Sequence, residues 1–188
     1  GGGQFMPFQK PDPVRSRRDV EKIRVIRAEE YREQGYLKDM VPSLQAARAE
    51  GFFTVGMCGG QTINFMVQHM NDSETALLCF HDDPDLARAL IDKGVESSLE
   101  AAKAFIRAGA DCIYIGDSYA SASVISPDLY EHFCAPAYRR MAKEIHTLGA
   151  FCYKHCCGNY NPLLEQLPSI GIDAMDGIDP TSGMSVRH

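Results

Sequence analysis

The sequence predicts an α/β fold of the TIM-barrel type, shortened or incomplete. Three observations carry that reading. Short β-rich runs alternate with long stretches of helical periodicity, and strands joined by long helices run parallel. Helical stretches stop at Gly51, Gly109 and Gly149, each followed closely by the next β-rich run. The dinucleotide-binding pattern G-x-G-x-x-G is missing, because Gly56 and Gly59-Gly60 do not compose it, and this favours a barrel over a doubly wound sheet. A complete eight-stranded barrel takes roughly 250 residues. The 188 residues show about four strands, so a partial barrel is expected.

In chain order, residues 1–15 combine Gly, Pro and Phe without periodicity and read as a flexible arm; residues 16–188 form the barrel domain. Ser16 is an N-cap for a helix reaching about Gln34, with Val20, Ile23 and Ile26 on one face. A second helix runs from about Leu37 to Glu50. Phe52 to Met57 is the first strand, broken at Cys58-Gly59-Gly60. Helices follow over about 62–69 and 74–80, with a turn at Asn71-Asp72-Ser73. A long helix over about 84–108 keeps Leu86, Leu90, Val95, Leu99, Ala102 and Ile106 at near-helical spacing. Cys112 to Ile115 is the second strand. Ser126-Pro127 opens a helix to about Leu148, in which Pro136 introduces a kink or a new segment. Ala150 to His155 is the third strand, Asn161-Pro162 starts a short helix to about Leu167, and Ala174 to Gly177 is the fourth strand.

Composition narrows the function. Nineteen Lys and Arg against 25 Asp and Glu leave a net charge of −6, a poor balance for binding nucleic acid. The one basic cluster, Arg15, Arg17 and Arg18, reads as a solvated helix start. No apolar run approaches the ~20 residues of a membrane helix, and no secretory leader pattern is legible. The seven cysteines are therefore expected to be reduced, in a cytoplasmic protein, and to serve burial, metal or catalysis.

Parallel α/β folds place their chemistry at the C-terminal ends of the strands. That rule selects Cys58, Asp117, the triplet His155-Cys156-Cys157, Asp176 and Asp179. On extended chain, side chains alternate, so His155 and Cys157 point one way and Cys156 the other. An imidazole and a thiolate in that relation can share a zinc ion, at ~2.0–2.1 Å and ~2.3 Å. On spacing alone the triplet reads more readily as two small buried cysteines and a satisfied histidine, because an H-x-C pair lacks a third ligand. Asp117, followed by Ser118-Tyr119, can orient a substrate or a ligand histidine, or cap a turn. Met57, Met66 and Met70 read as core.

Taken together, several segments resemble the uroporphyrinogen decarboxylase superfamily. Asp117-Ser118-Tyr119-Ala120, then Ile125 to Glu131 and Ala135-Pro136-Ala137-Tyr138, are similar to its "D-S/P-x-A … S-P-x-x-Y/F-E … P-Y" segment. Gly56 to Phe65 resembles its "G-P-F-T" turn, with Gln61 in place of the usual aromatic residue. Ala108-Gly109-Ala110-Asp111, His155 to Asn159 and Gly171-Ile172-Asp173-Ala174 resemble its "A-G-A-D", "H-I-C-G-N" and "G-x-D-A/V" motifs.

One branch of that superfamily decarboxylates uroporphyrinogen without metal. The other transfers a methyl group from a methyl-corrinoid protein to a thiol activated by zinc. The "H-x-C-G-N" motif belongs to the second branch. The resemblance therefore implies zinc ligands at His155 and Cys157, a further ligand cysteine beyond them, and a corrinoid supplied by a partner protein. It implies Asp117 and Tyr119 near the substrate. Two other readings stand beside it: a porphyrin decarboxylase, or a partner-binding domain without activity. An incomplete barrel is also expected to associate, with a second copy or another chain.

Overall fold

A computed structural model describes residues 12–59 and 61–185. Four strands form one parallel sheet in the order β1 (Val55–Cys58), β2 (Cys112–Gly116), β3 (Phe151–His155) and β4 (Ala174–Asp176). Strand order follows chain order without reversal. A doubly wound sheet would reverse at its switch point, so the winding is that of a barrel segment. The register pairs Cys58 with Ile115, and puts Gly116, His155 and Asp176 side by side. The C-terminal ends of β2, β3 and β4 therefore finish level.

One face of the sheet is buried. Gly56, Cys58, Ile113, Ile115, Cys152 and Lys154 point to it, under the long helices α6 (Pro84–Ala108) and α8 (Ala135–Thr147). The other face carries Val55, Met57, Tyr114, Phe151, Tyr153 and His155, all exposed or half-buried. Period-two alternation thus divides the sheet into a helix-packed side and an open side.

Several elements differ from the sequence expectation. The first helix is two: α1 (Arg17–Glu21) and α2 (Ala28–Glu33). Ile23, Val25 and Ile26 are β-branched and poor helix formers. Val25 is buried, and the amide of Ala28 is captured by the buried Glu100 carboxylate of α6 at 2.9 Å, which starts a new helix there. The helix before β1 is α3 (Met40–Ala49), and β1 runs on through Cys58. Helices α4 (Ile63–Met70) and α5 (Ser73–Asp82) follow. The helix expected from Ser126 opens as a short turn, α7 (Pro127–Leu129), passes through a π-helical turn at Tyr130–Cys134, and becomes α8. Pro136 has no N–H to give the His132 carbonyl, which accepts from Arg88 instead, at 3.2 Å. The helix expected over 161–167 is a 3-10 turn at Asn161–Leu163 followed by α9 (Leu167–Ile170).

Residues 1–11 of the expected arm, and Gly60 of the "G-P-F-T"-like turn, lie outside the described residues. Val14 is buried, and its N–H donates to the His69 carbonyl at 2.9 Å. No helix among the described residues is long and apolar enough to cross a membrane.

Candidate functional site

The strand ends sort their reactive side chains by face. Cys58, Asp117 and Cys156 are buried, whereas His155, Cys157 and Asp176 meet at the open side. The residues selected at the strand ends thus fall into two groups, one on each side of the sheet.

At the open side, His155 stands on the last position of β3. Its Nε2 lies 3.4 Å from Cys157 Sγ, the only exposed thiol of the seven cysteines. Its Nδ1 lies 2.5 Å from Asp176 Oδ1 on the adjacent end of β4. The Tyr153 hydroxyl faces the same carboxylate, and that neighbour, together with burial, pushes the phenol up to about 12. Burial opposes an ionised Asp176, but Tyr153 and His155 outweigh it and hold the carboxyl below its usual range. Tyr114, from β2, stacks on the His155 ring with centroids 5.7 Å apart and planes 23° apart. Gly116 makes this possible: a Cβ there would lie 2.5 Å from Tyr114 Cε1.

Behind the sheet the arrangement is different. Cys156 is fully buried, and its thiol donates to the Asp117 carbonyl at 2.9 Å. Asp117, expected to orient a substrate or histidine, is also fully buried. Its carboxylate accepts from the Thr62 amide and hydroxyl at 2.8 and 2.5 Å and from the Asn64 amide at 3.1 Å. It caps α4 across 55 residues of chain rather than the turn beside it. Tyr119 is half-buried and packs against the core. Lys154 is buried with its Nζ 3.9 Å from the Tyr138 ring centre, and burial draws its pKa down. Cys58 lies on the helix-packed face, away from the His155–Cys157 pair, and burial there raises its thiol to about 12.

The His155–Cys157 pair can be tested for zinc. A nitrogen at ~2.0–2.1 Å and a sulfur at ~2.3 Å at tetrahedral angles stand about 3.5 Å apart. The observed 3.4 Å matches. The carboxylate on Nδ1 is the usual outer partner of a metal-binding histidine. The pair fits two corners of a zinc site; no group of three or more His, Cys, Asp and Glu side chains placed to hold a metal ion occurs among the described residues. A separate cavity of about 480 Å³ between α2, α3 and α6 includes none of the strand-end residues.

The Uroporphyrinogen decarboxylase (URO-D) family model matches residues 7–187. The chain belongs to this family. Its relatives are enzymes of two kinds. A methylated-thiol--coenzyme M methyltransferase of Methanosarcina mazei is 36% identical over 91 residues, covering 48% of this chain and 24% of the relative. A uroporphyrinogen decarboxylase of Myxococcus xanthus is 28% identical over 178 residues, covering 93% of this chain and 49% of the relative. The chain thus spans a quarter to a half of the length of these relatives. Among solved structures, a methyltransferase from Methanosarcina mazei superposes with a TM-score of 0.60 at 24% identity, covering 72% of this chain and 40% of that one. This likeness places the sheet and its helices in the TIM-barrel-like fold of the family.

Of the residues selected from the sequence, His155 and Cys157 come together, with Asp176 behind them. Asp117 and Tyr119 do not join them. The strand-end rule selects neither Tyr114 nor Tyr153, although the sequence carries a signal for both. Counting back two from His155 gives Tyr153 on the same face, and parallel pairing puts Tyr114 beside it.

Proposed function

We propose that the chain is the zinc-binding part of a methyltransferase that moves a methyl group from a methyl-corrinoid partner protein to a thiol. One observation carries this reading: His155 Nε2 and Cys157 Sγ stand on the open side at the spacing of two ligands of a single zinc ion. His155 and Cys157 would hold the metal. When bound there, zinc lowers the pKa of an acceptor thiol and presents it as a thiolate.

The remaining roles belong to the chain itself. Tyr114 covers one face of the imidazole and limits water there. Asp117 acts at a distance, by fixing the start of α4 against the end of β2. The described residues offer two of the three protein donors that a catalytic zinc takes, so a further donor comes from elsewhere in the working enzyme. The open position of such a site is where the thiol would enter.

Zinc analysis of the purified protein, with transfer from a methyl-corrinoid protein to coenzyme M as the assay, tests the reading. Bound zinc that is lost in Cys157→Ser supports it. A chain that holds no zinc and decarboxylates a porphyrinogen overturns it in favour of the second reading, uroporphyrinogen decarboxylation. That alternative draws on the decarboxylase relative's match to 93% of this chain, and would put Tyr119 near the substrate, with the buried Asp117 on the same β2–α7 connection.

A further inference from the structure

The open side holds one chain of polar contacts, of which the proposed reading uses only the last link. It runs from the Tyr153 hydroxyl to the Asp176 carboxylate, from there to His155 Nδ1, and from Nε2 to Cys157 Sγ. Each link limits the next. An ionised carboxylate can only accept, so the ring nitrogen 2.5 Å from Asp176 Oδ1 must carry a proton. In the neutral imidazole the other nitrogen, Nε2, then has its lone pair free, and that is the nitrogen beside the exposed thiol. A free histidine side chain in water prefers the opposite proton placement, on Nε2. A fixed partner on Nδ1 is therefore needed to reverse it.

The backbone supplies that partner. His155 and Asp176 are register partners at the ends of β3 and β4, so their side chains leave the sheet on the same face and at the same height. Tyr153 lies two residues before His155 and so projects from the same face. Its hydroxyl reaches the same carboxylate, and Tyr114 stacks on the ring and restrains its rotation.

We infer that Asp176, seated by Tyr153, is a positioning residue that holds His155 as its Nδ1–H tautomer and so presents Nε2 beside Cys157. That Nε2 serves as a metal donor rests on the reading in Proposed function; the tautomer does not. The two are therefore separable by experiment.

The first measurement is the nitrogen-15 NMR spectrum of His155 in the metal-free chain, at a pH where the ring is neutral. The wild type is expected to show predominantly the Nδ1–H tautomer. Asp176→Ala should revert to the Nε2–H form favoured in solution. Asp176→Asn should also lose the wild-type tautomer, because its amide N–H can donate to an unprotonated Nδ1 and so admits the Nε2–H form. Tyr153→Phe should fall between the wild type and Asp176→Ala. Loss of a merely structural contact would not move the proton between ring nitrogens. Asp176 is half-exposed at the sheet edge, so these variants are expected to fold, and circular dichroism checks that they do.

The second measurement titrates the same proteins with Zn²⁺, and with Co²⁺ as an optical probe. Removing an outer-shell partner of a metal-binding histidine weakens affinity by about 10–100-fold, and both Asp176→Ala and Asp176→Asn are expected in that range. A wild-type tautomer in Asp176→Ala overturns the inference, whatever the metal does. A shifted tautomer in a protein that never binds Zn²⁺ upholds the positioning role and removes the metal reading instead.

Discussion

Seven cysteines share one chain, and a single residue separates the inert from the reactive. Cys157 is exposed; Cys58, Cys79, Cys112, Cys134, Cys152 and Cys156 are buried. Burial raises the thiols of Cys58, Cys134 and Cys152 to about 12, which keeps them protonated and poorly nucleophilic. Brief treatment of the folded protein with iodoacetamide, followed by peptide mass spectrometry, should therefore mark Cys157 first. Marking of Cys156 ahead of Cys157 would contradict the assignment of faces. Cys157→Ser should also abolish zinc retention while leaving the thermal midpoint within a degree or two, since an exposed rim residue adds little to packing.

Alternation along an extended chain made this division of Cys156 from Cys157 legible in the sequence. The division of Asp117 from Asp176 was not legible. Both are acids at strand ends, and only the register and the position of α4 decide that one caps a helix while the other meets His155.

At the scale of elements, two acids that carry the family motifs turn out to be pins between strands. Asp111 precedes β2 and accepts from the amide and hydroxyl of Thr54, just before β1, at 2.9 and 2.7 Å. Asp173 precedes β4 and accepts from the Cys152 amide of β3 at 2.7 Å. The Thr54 contacts hold Asp111 below the usual carboxylate range. Burial works against Asp173, but the Cys152 amide and the His146 ring outweigh it and lower it as well. A carboxyl depressed in the folded state stabilises at pH above its unfolded value, and that contribution fades as pH falls through the folded one. Thermal stability should hold near neutrality and fall below about pH 4. Asp111→Asn and Asp173→Asn should lower it at pH 7 and flatten the acid limb; an unchanged limb in the double variant would show that the pins are not the cause.

Helix α6 offers a second element-scale prediction. Gly94 sits in its middle, where helix propensity favours Ala by about 1 kcal/mol. A Cβ there would lie 2.3 Å from the Gln61 carbonyl and 2.8 Å from the Phe65 ring. Gly94→Ala should therefore destabilise, by about 1–3 kcal/mol as overpacking does, measured by urea unfolding. A gain in stability would mean that α4 can move away. The helical period of α6 was plain in the sequence, but this close approach was not. The same holds for the break after α1, where Glu100, 72 positions from Ala28, captures the amide that opens α2. Long-range capping of that kind leaves no local trace.

For the whole molecule, the deciding feature is a sheet that the described residues cover on one face only. Phe53 is 61% exposed, Met57 65% and Phe151 55%. Phe53 and Phe151 stand 5.8 Å apart, so they form one apolar surface rather than scattered side chains. Contiguous apolar area of this kind drives association in water. Burying one such side chain contributes about 1.5–3 kcal/mol, part of which offsets the cost of association, so a few of them meeting a second copy support a weak, concentration-dependent contact. A face that meets itself forms a twofold contact. Sedimentation equilibrium of the chain should accordingly show a mass that rises with concentration. Met57→Lys combined with Phe151→Lys should return it toward the monomer. Both positions lie toward the open face and away from α6 and α8, so the double variant should keep its secondary structure. His155 and Cys157 border the same face, and self-association that shields it should slow alkylation of Cys157 as concentration rises. A wild-type chain that stays monomeric at every concentration would refute the association, and with it the protection of that thiol.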